Sequence, residues 1–253
     1  MTAVITPAQA ADRIEAFARE GRLVQDIWHG ERRGREVACL LGAIDERIND
    51  RRACPASVMP AWVAHVLPDL HDNVTAWLVG PLGLRFARAL RRTQDWPTEP
   101  GGTEACRKWR SVRAAWVGAC VVRAMDAAHP ACDGAAWWPE AAAVAMAAIA
   151  ALHGGEPVAS RVAREVTRGL GGIARSLEGD MYATVAGLVV WATIDDDEAP
   201  RRVAERAVDL GGRAWVELGE QEWAVSAGVW RPAPSPTWTD LYRALLDAME
   251  AEA

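Results

Sequence analysis

Twenty residues, Cys54 to Asn73, hold one Cys, two His, two Asp and three Pro: CPASVMPAWVAHVLPDLHDN. Thiolate, imidazole and carboxylate are the ligand types of zinc sites and the working groups of acid–base chemistry. Cys54, His65, Asp69 and His71 are therefore the candidate metal ligands, with Asp72 as a spare carboxylate. The spacing is awkward. Six positions separate His65 from His71, about 240° around a continuous helix, so the two imidazoles face different directions. Only a corner at Pro68 turns them toward each other. No zinc-finger spacing and no H-E-x-x-H occurs. The competing reading is architectural. Pro55 suits a first helical turn, and Val58, Trp62 and Val66 recur at i, i+4 and i+8, with Met59 and Val63 widening the stripe. Pro68 then stops the helix, and Asp69 or Asp72 caps the next.

Other constellations are looser. Cys120, His129 and Cys132 share ligand types without ligand spacing. The run Asp195-Asp196-Asp197-Glu198 is similar to the DDxxD magnesium–diphosphate motif of all-α terpene cyclases, but Ala199 stands where the last acid belongs. Acids there also complement the dipole of a following helix. The His29-Gly30-Glu31 turn fits no catalytic motif. There is no G-x-S-x-G, no Walker A loop and no G-x-G-x-x-G with a following acid. No cofactor is expected.

Cations concentrate in the middle of the chain. Residues 75–125 carry 9 basic and 3 acidic side chains, whereas residues 126–253 carry 10 and 20. Arg85, Arg88, Arg91 and Arg92 fall on or near one helical stripe. Arg107, Lys108, Arg110 and Arg113 crowd the start of another helix around Trp109. Guanidinium groups interleaved with an aromatic can hold phosphates, so Arg85, Arg88, Arg92, Arg107, Arg110 and Arg113 are candidate anion-binding residues. Against this, net charge is −6 and pI about 5.5. A basic middle and an acidic C-terminal half also attract each other, within one chain or between two.

Trp occurs 13 times, against two Phe and two Tyr. Trp109, Val112, Trp116 and Cys120 lie on one stripe. Trp215, Trp223 and Trp230 share a face within about 80°, with Gly219 and Ala227 between them. Indoles are enriched at interfaces, so these five Trp are the candidate interaction residues, with core packing as the alternative.

The elements that must position these groups read as helical nearly throughout. Ala, Leu, Arg and Glu dominate, apolar residues recur at three and four, and no period-2 run stands out. The pattern predicts helices over 7–20, 34–49, 55–67, 71–94, 103–128, 136–152, 156–177, 180–194, 198–230 and 237–251. The expected fold is all-α, a multi-helix bundle or irregular helical array of about ten helices. Thr6-Pro7 caps and opens the first helix, and Gly154-Gly155 ends the Ala-rich one. The loop DWPTEPGG suggests a boundary between an N-terminal subdomain, 1–96, and a C-terminal bundle, 97–253, or one continuous domain. The five Cys include no CxxC, and the N-terminus turns polar at once, so reduced thiols in a cytoplasmic protein are expected. The twelve-residue run ATVAGLVVWATI is too short to span a bilayer, so no membrane partner is expected.

GREVACLLGAI (34–44) followed by ACPASVMPAWVAHVLPDLHD (53–72) resembles uncharacterised helical proteins of alphaproteobacteria and their prophages. In those proteins a G-R-x-x-A-C-L-L helix precedes a C-P-x-x-x-M-P-x-W turn and helix. The resemblance implies a bacterial or phage accessory protein and assigns no residue a role. The expected function is non-enzymatic interaction with a protein partner or with a second copy as a homodimer. The alternatives are nucleic-acid or phosphate binding through 85–113, and a small metal- or diphosphate-dependent enzyme.

Overall fold

The computed structural model describes residues 4–96, 105–132, 134–136, 138–154, 187–188, 191–192, 197–222 and 237–253. Among them are seven α-helices and one two-stranded antiparallel sheet. The chain divides into two compact units. Met1–Arg113 with Trp238–Ala253 form the first, and Ala114–Thr237 form the second.

Helix α1, Pro7–Arg19, begins as its sequence dictates. Thr6 Oγ1 accepts from the Gln9 N–H and Gln9 Oε1 accepts from the Thr6 N–H, at 3.2 and 2.9 Å, a reciprocal capping box with Pro7 inside the first turn. It ends where Gly21 takes φ 65°, letting Gly21 and Arg22 donate back to Ala18 and Phe17. Ala10, Ala11, Ile14 and Phe17 form its buried side.

The expected helix over 34–49 is not a helix. Strands β1, His29–Arg32, and β2, Arg35–Ala38, form a hairpin. Its two-residue turn has positive φ at both positions, 56° at Arg33 and 74° at Gly34, the twist that suits a tight hairpin. Long-range bonds hold its base: Ala38 N–H donates to Arg22 O, and Val24 N–H donates to Ala38 O. Beyond it, Leu40, Leu41 and Ile44 are buried in successive turns, as a run rather than a helical stripe.

Helix α2, Ala61–Asp72, corrects the expected stop at Pro68, which lies inside it and is buried. A proline removes one helical hydrogen bond and crowds the preceding turn. Here Arg51 Nη1 donates to the His65 carbonyl at 2.9 Å, supplying an outside donor to that turn. Buried Leu67 and Leu70 on either side keep the helix packed. Its end is followed by a 3-10 turn, Ala76–Leu78, and helix α3, Val79–Arg92, so the expected single helix over 71–94 is three pieces.

Helices α4 (Ala105–Cys132), α5 (Trp138–Gly154), α6 (Ala199–Glu222) and α7 (Trp238–Glu252) lie close to expected helical spans. Of the expected helices over 156–177 and 180–194, only 187–188 and 191–192 are described, and they are helical. In the first unit α1 packs on α3, and α7 packs on α2 and α3. The unit therefore takes back the C-terminal helix, whose Leu241, Tyr242, Leu245, Leu246 and Met249 are buried. In the second unit Trp116, Val121, Ala145 and Val203 are among the buried side chains.

Candidate functional site

The candidate ligands of Cys54–Asn73 point apart. Asp69 accepts from Arg51 Nη1 and Nη2 at 3.1 and 3.3 Å. His71 is fully buried and its Nε2–H donates to Val24 O at 3.1 Å, while burial lowers its pKa to about 4. Burial pushes the Cys54 thiol up to about 12, which disfavours the thiolate a metal needs. The corner on which the metal reading rested is absent, because α2 runs through Pro68 and keeps His65 and His71 six residues apart on one helix. Among the described residues, no three His, Cys, Asp or Glu side chains are grouped to hold a metal ion. That statement covers Cys120, His129 and Cys132; burial raises the Cys120 thiol too, and His129 packs edge-on against Trp138. Asp195 and Asp196 lie outside the described residues. Glu198 stands at the start of α6, and its carbonyl accepts from Arg202 N–H.

The end of α2 is held by a short stretch that sequence reasoning passed over. Gln25 Nε2 lies 3.3, 2.8 and 2.7 Å from the carbonyls of His71, Asp72 and Val74, groups a helix end leaves without partners. Asp26, at φ 62°, donates its N–H to Asp72 Oδ1 at 3.2 Å. Burial raises the Asp72 carboxyl to about 6, with Asp26 and Asp69 adding repulsion.

Three indoles of the first unit, Trp62, Trp96 and Trp109, are core. Trp109 meets the rings of Trp62 and Trp96 edge-to-face, with centroids 6.4 and 5.1 Å away. Trp109 is 4% exposed and Trp116, in the second unit, is fully buried, so neither presents the partner face expected of it. The side chain of Trp215, and Trp223 and Trp230 altogether, lie outside the described residues. The exposed indole is one the periodicity did not mark. Trp77, in the 3-10 turn before α3, is 72% exposed, the only exposed indole among the residues whose side chains are described.

The arginine patch is partly neutralised from within. Arg85 bonds Glu250 at 2.9 and 2.7 Å and Asp247 at 2.5 Å, both acids on α7. Arg91 bonds Asp12 and Glu15 on α1 at 2.6 and 2.7 Å. Arg88 and Arg92 are exposed and sit close enough to lower the Glu250 carboxyl together with Arg85. Arg107 and Arg110 are exposed at the start of α4, and Arg113 is half-buried. The structure thus brings Arg85, Arg88 and Arg92 to one helix, beside acids.

The hairpin adds a group of its own. His29 and Glu36 share a sheet face as diagonal neighbours, since His29 pairs with Ala38. His29 Nε2–H donates to Glu36 Oε1 at 2.9 Å, and Arg22 Nη1 donates to Oε2 at 2.5 Å; these two donors lower the Glu36 carboxyl. Beside them opens a hollow of about 470 Å3, which Arg13, Asp45 and Arg47 also line. Arg47 grips Asp45 through Nε and Nη2, at 2.8 and 2.5 Å, and holds that carboxyl at about 2. An imidazole oriented by a carboxylate is a general-base arrangement. No hydroxyl or thiol lines the hollow to be activated, and two of its carboxylates are taken by arginines, Glu36 by Arg22 and Asp45 by Arg47.

Gly42 closes the hairpin's base. A Cβ there would lie 1.4 Å from the Trp28 carbonyl oxygen, so only glycine permits the approach. The residues behind the resemblance, Gly34, Ala38, Cys39 and Gly42, are thus a positive-φ turn, a bridging position, a buried thiol and a close contact.

Comparison with protein-family models, with curated proteins and with solved structures finds no match. No described helix is long and apolar enough to cross a membrane.

Proposed function

We propose that the protein is a non-enzymatic interaction protein that meets its partner through the outer surface of its first unit. The observation that supports this reading is Trp77. Its indole is 72% exposed, yet its neighbours Leu78 and Val79 are buried and tie the turn to the core. A large aromatic on a rigid corner costs little ordering entropy on binding, which is how interface anchors act. The groups that would support an enzyme reading are engaged elsewhere: Asp69 with Arg51, His71 with Val24, Asp45 with Arg47. The resemblance over 34–44 and 53–72 supports a bacterial or prophage accessory role. Unbridged, buried Cys39, Cys120 and Cys132 support a reducing compartment, the cytoplasm.

Photo-crosslinking tests it. A photoreactive phenylalanine at position 77 should give one discrete product in the producing cell, and the same residue at Met146, also exposed, should not. A product of twice the chain's mass makes the partner a second copy. Identical, diffuse products from both positions overturn the reading.

A further inference from the structure

The tip of the hairpin breaks local rules on both strands. Arg32 stands directly opposite Arg35, and like charges directly opposite destabilise an antiparallel pair. Arg33 has φ 56°, a conformation that favours Gly or Asn over a long side chain. Residues 31–36 are all exposed, so no packing offsets either feature.

Several other arginines of the same unit form ion pairs: Arg22 with Glu36, Arg47 with Asp45, Arg51 with Asp69, Arg85 with Glu250, Arg91 with Glu15. At the tip, Arg32 and Arg33 make no side-chain hydrogen bond or ion pair among the described residues. Arg35 reaches only the Glu20 carbonyl, at 3.2 Å. Three guanidinium groups thus project from four consecutive residues and none forms an ion pair, although Glu31 and Glu36 occupy the next rung of the hairpin, Glu36 being held by Arg22 and His29. Places where a chain keeps locally unfavourable residues are where function is to be sought.

We infer that the hairpin tip is a nucleic-acid-binding finger, in which Arg32, Arg33 and Arg35 hold the phosphates of a duplex. Guanidinium forks match phosphate oxygens. A two-stranded ribbon fits the major groove, and its tip places cations along the flanking backbones. The tip is a narrow projection without a groove of its own. A duplex supplies the concave surface into which such a projection fits. The net charge of −6 confines the contact to the finger, so binding is weak and steeply salt-dependent. This surface is distinct from Trp77, and neither reading depends on the other.

Fluorescence anisotropy with the full chain and a labelled duplex of about 20 base pairs tests it, starting at low salt. The slope of log affinity against log salt should be about −3, roughly 0.9 per phosphate neutralised by three arginines. Arg32→Gln and Arg33→Gly should each reduce that slope by about 1. Arg33→Gly should at the same time raise the melting temperature, because it relieves the positive φ. That opposite pair of shifts is not expected of a residue with only a structural role. The inference is overturned if the duplex does not bind at low salt. It is also overturned if the triple variant Arg32→Gln, Arg33→Gly, Arg35→Gln binds as tightly as the parent. Poly-glutamate binding that the triple variant alone loses would overturn it in favour of an acidic protein partner.

Discussion

The base and the tip of the hairpin are built on opposite principles, although they lie within ten residues of each other. At the base three unusual features are compensated. Gly42 accepts the Trp28 carbonyl where a Cβ would clash, Glu36 is held by His29 and Arg22, and Ala38 bridges to Leu23. The adjoining stretch Val24–Asp26 is bonded to the end of α2. At the tip nothing compensates: Arg32 faces Arg35 and Arg33 carries a long side chain at positive φ. The difference teaches which irregularities serve the fold and which do not. Those of the base are tied to buried or half-buried neighbours, so removing them costs stability. Those of the tip touch solvent, so removing them gains stability.

The largest expected effect falls at the base. Gly42→Ala places a methyl 1.4 Å from the Trp28 oxygen, and the backbone must move. The expected loss is about 3 kcal/mol or more, read from the urea midpoint. A parent-like midpoint would mean the base is not the rigid anchor described.

The second effect depends on pH, and its sign is set by two groups that oppose each other. Burial lowers His71 to about 4 from 6.5, so the unfolded chain binds more protons between those values, and stability from His71 falls as pH falls. Burial raises Asp72 to about 6 from 3.8, so the folded chain binds more protons there, and stability from Asp72 rises as pH falls. In the parent the two contributions offset between about pH 6 and 4. Asp72→Asn should therefore make stability drop on acidification through that window, and His71→Gln should make it rise. Urea midpoints across the window decide it; parallel profiles for both variants would refute the buried arrangement of α2's end.

The tip gives the small effects, with reversed sign. Arg33→Gly should stabilise by about 1 kcal/mol, the cost of a side chain in the left-handed region. Arg32→Glu, which turns a like pair into an opposite pair with Arg35, should stabilise by about 0.5 kcal/mol. A destabilising outcome for either would show that the tip is held by contacts and is not free, and the comparison with the base would fail.

Much of the fold was legible in the sequence where local rules and tertiary packing agree. Thr6-Pro7 and Gln9 set the start of α1 through bonds within four residues. The hairpin was illegible for a physical reason. Four-residue strands show too few alternations to reveal a period of two, and Arg-Gly is a weak turn signal beside Asn-Gly. Pro68 misled because a proline's effect depends on whether outside donors reach the disturbed turn, and Arg51 is 17 residues away in sequence. The stripe of Trp109, Val112, Trp116 and Cys120 is buried, but periodicity reports that a face is apolar and not what covers it. Trp109 is covered by Trp62 and Trp96, while Trp77 carries no stripe and is exposed.

By itself the sequence determined a mainly helical chain, several of its helix ends, the absence of familiar catalytic motifs and an uneven charge. These depend on short-range capping, composition and spacing, which act within a few residues. Only the tertiary structure decided that 35–38 is a strand, that α2 passes through Pro68 and that α7 joins the N-terminal unit. It alone showed which arginines pair with acids distant in sequence and which, at the hairpin tip, form no ion pair. Pairing partners such as Arg85 and Glu250 lie 165 residues apart, and no local pattern carries that distance.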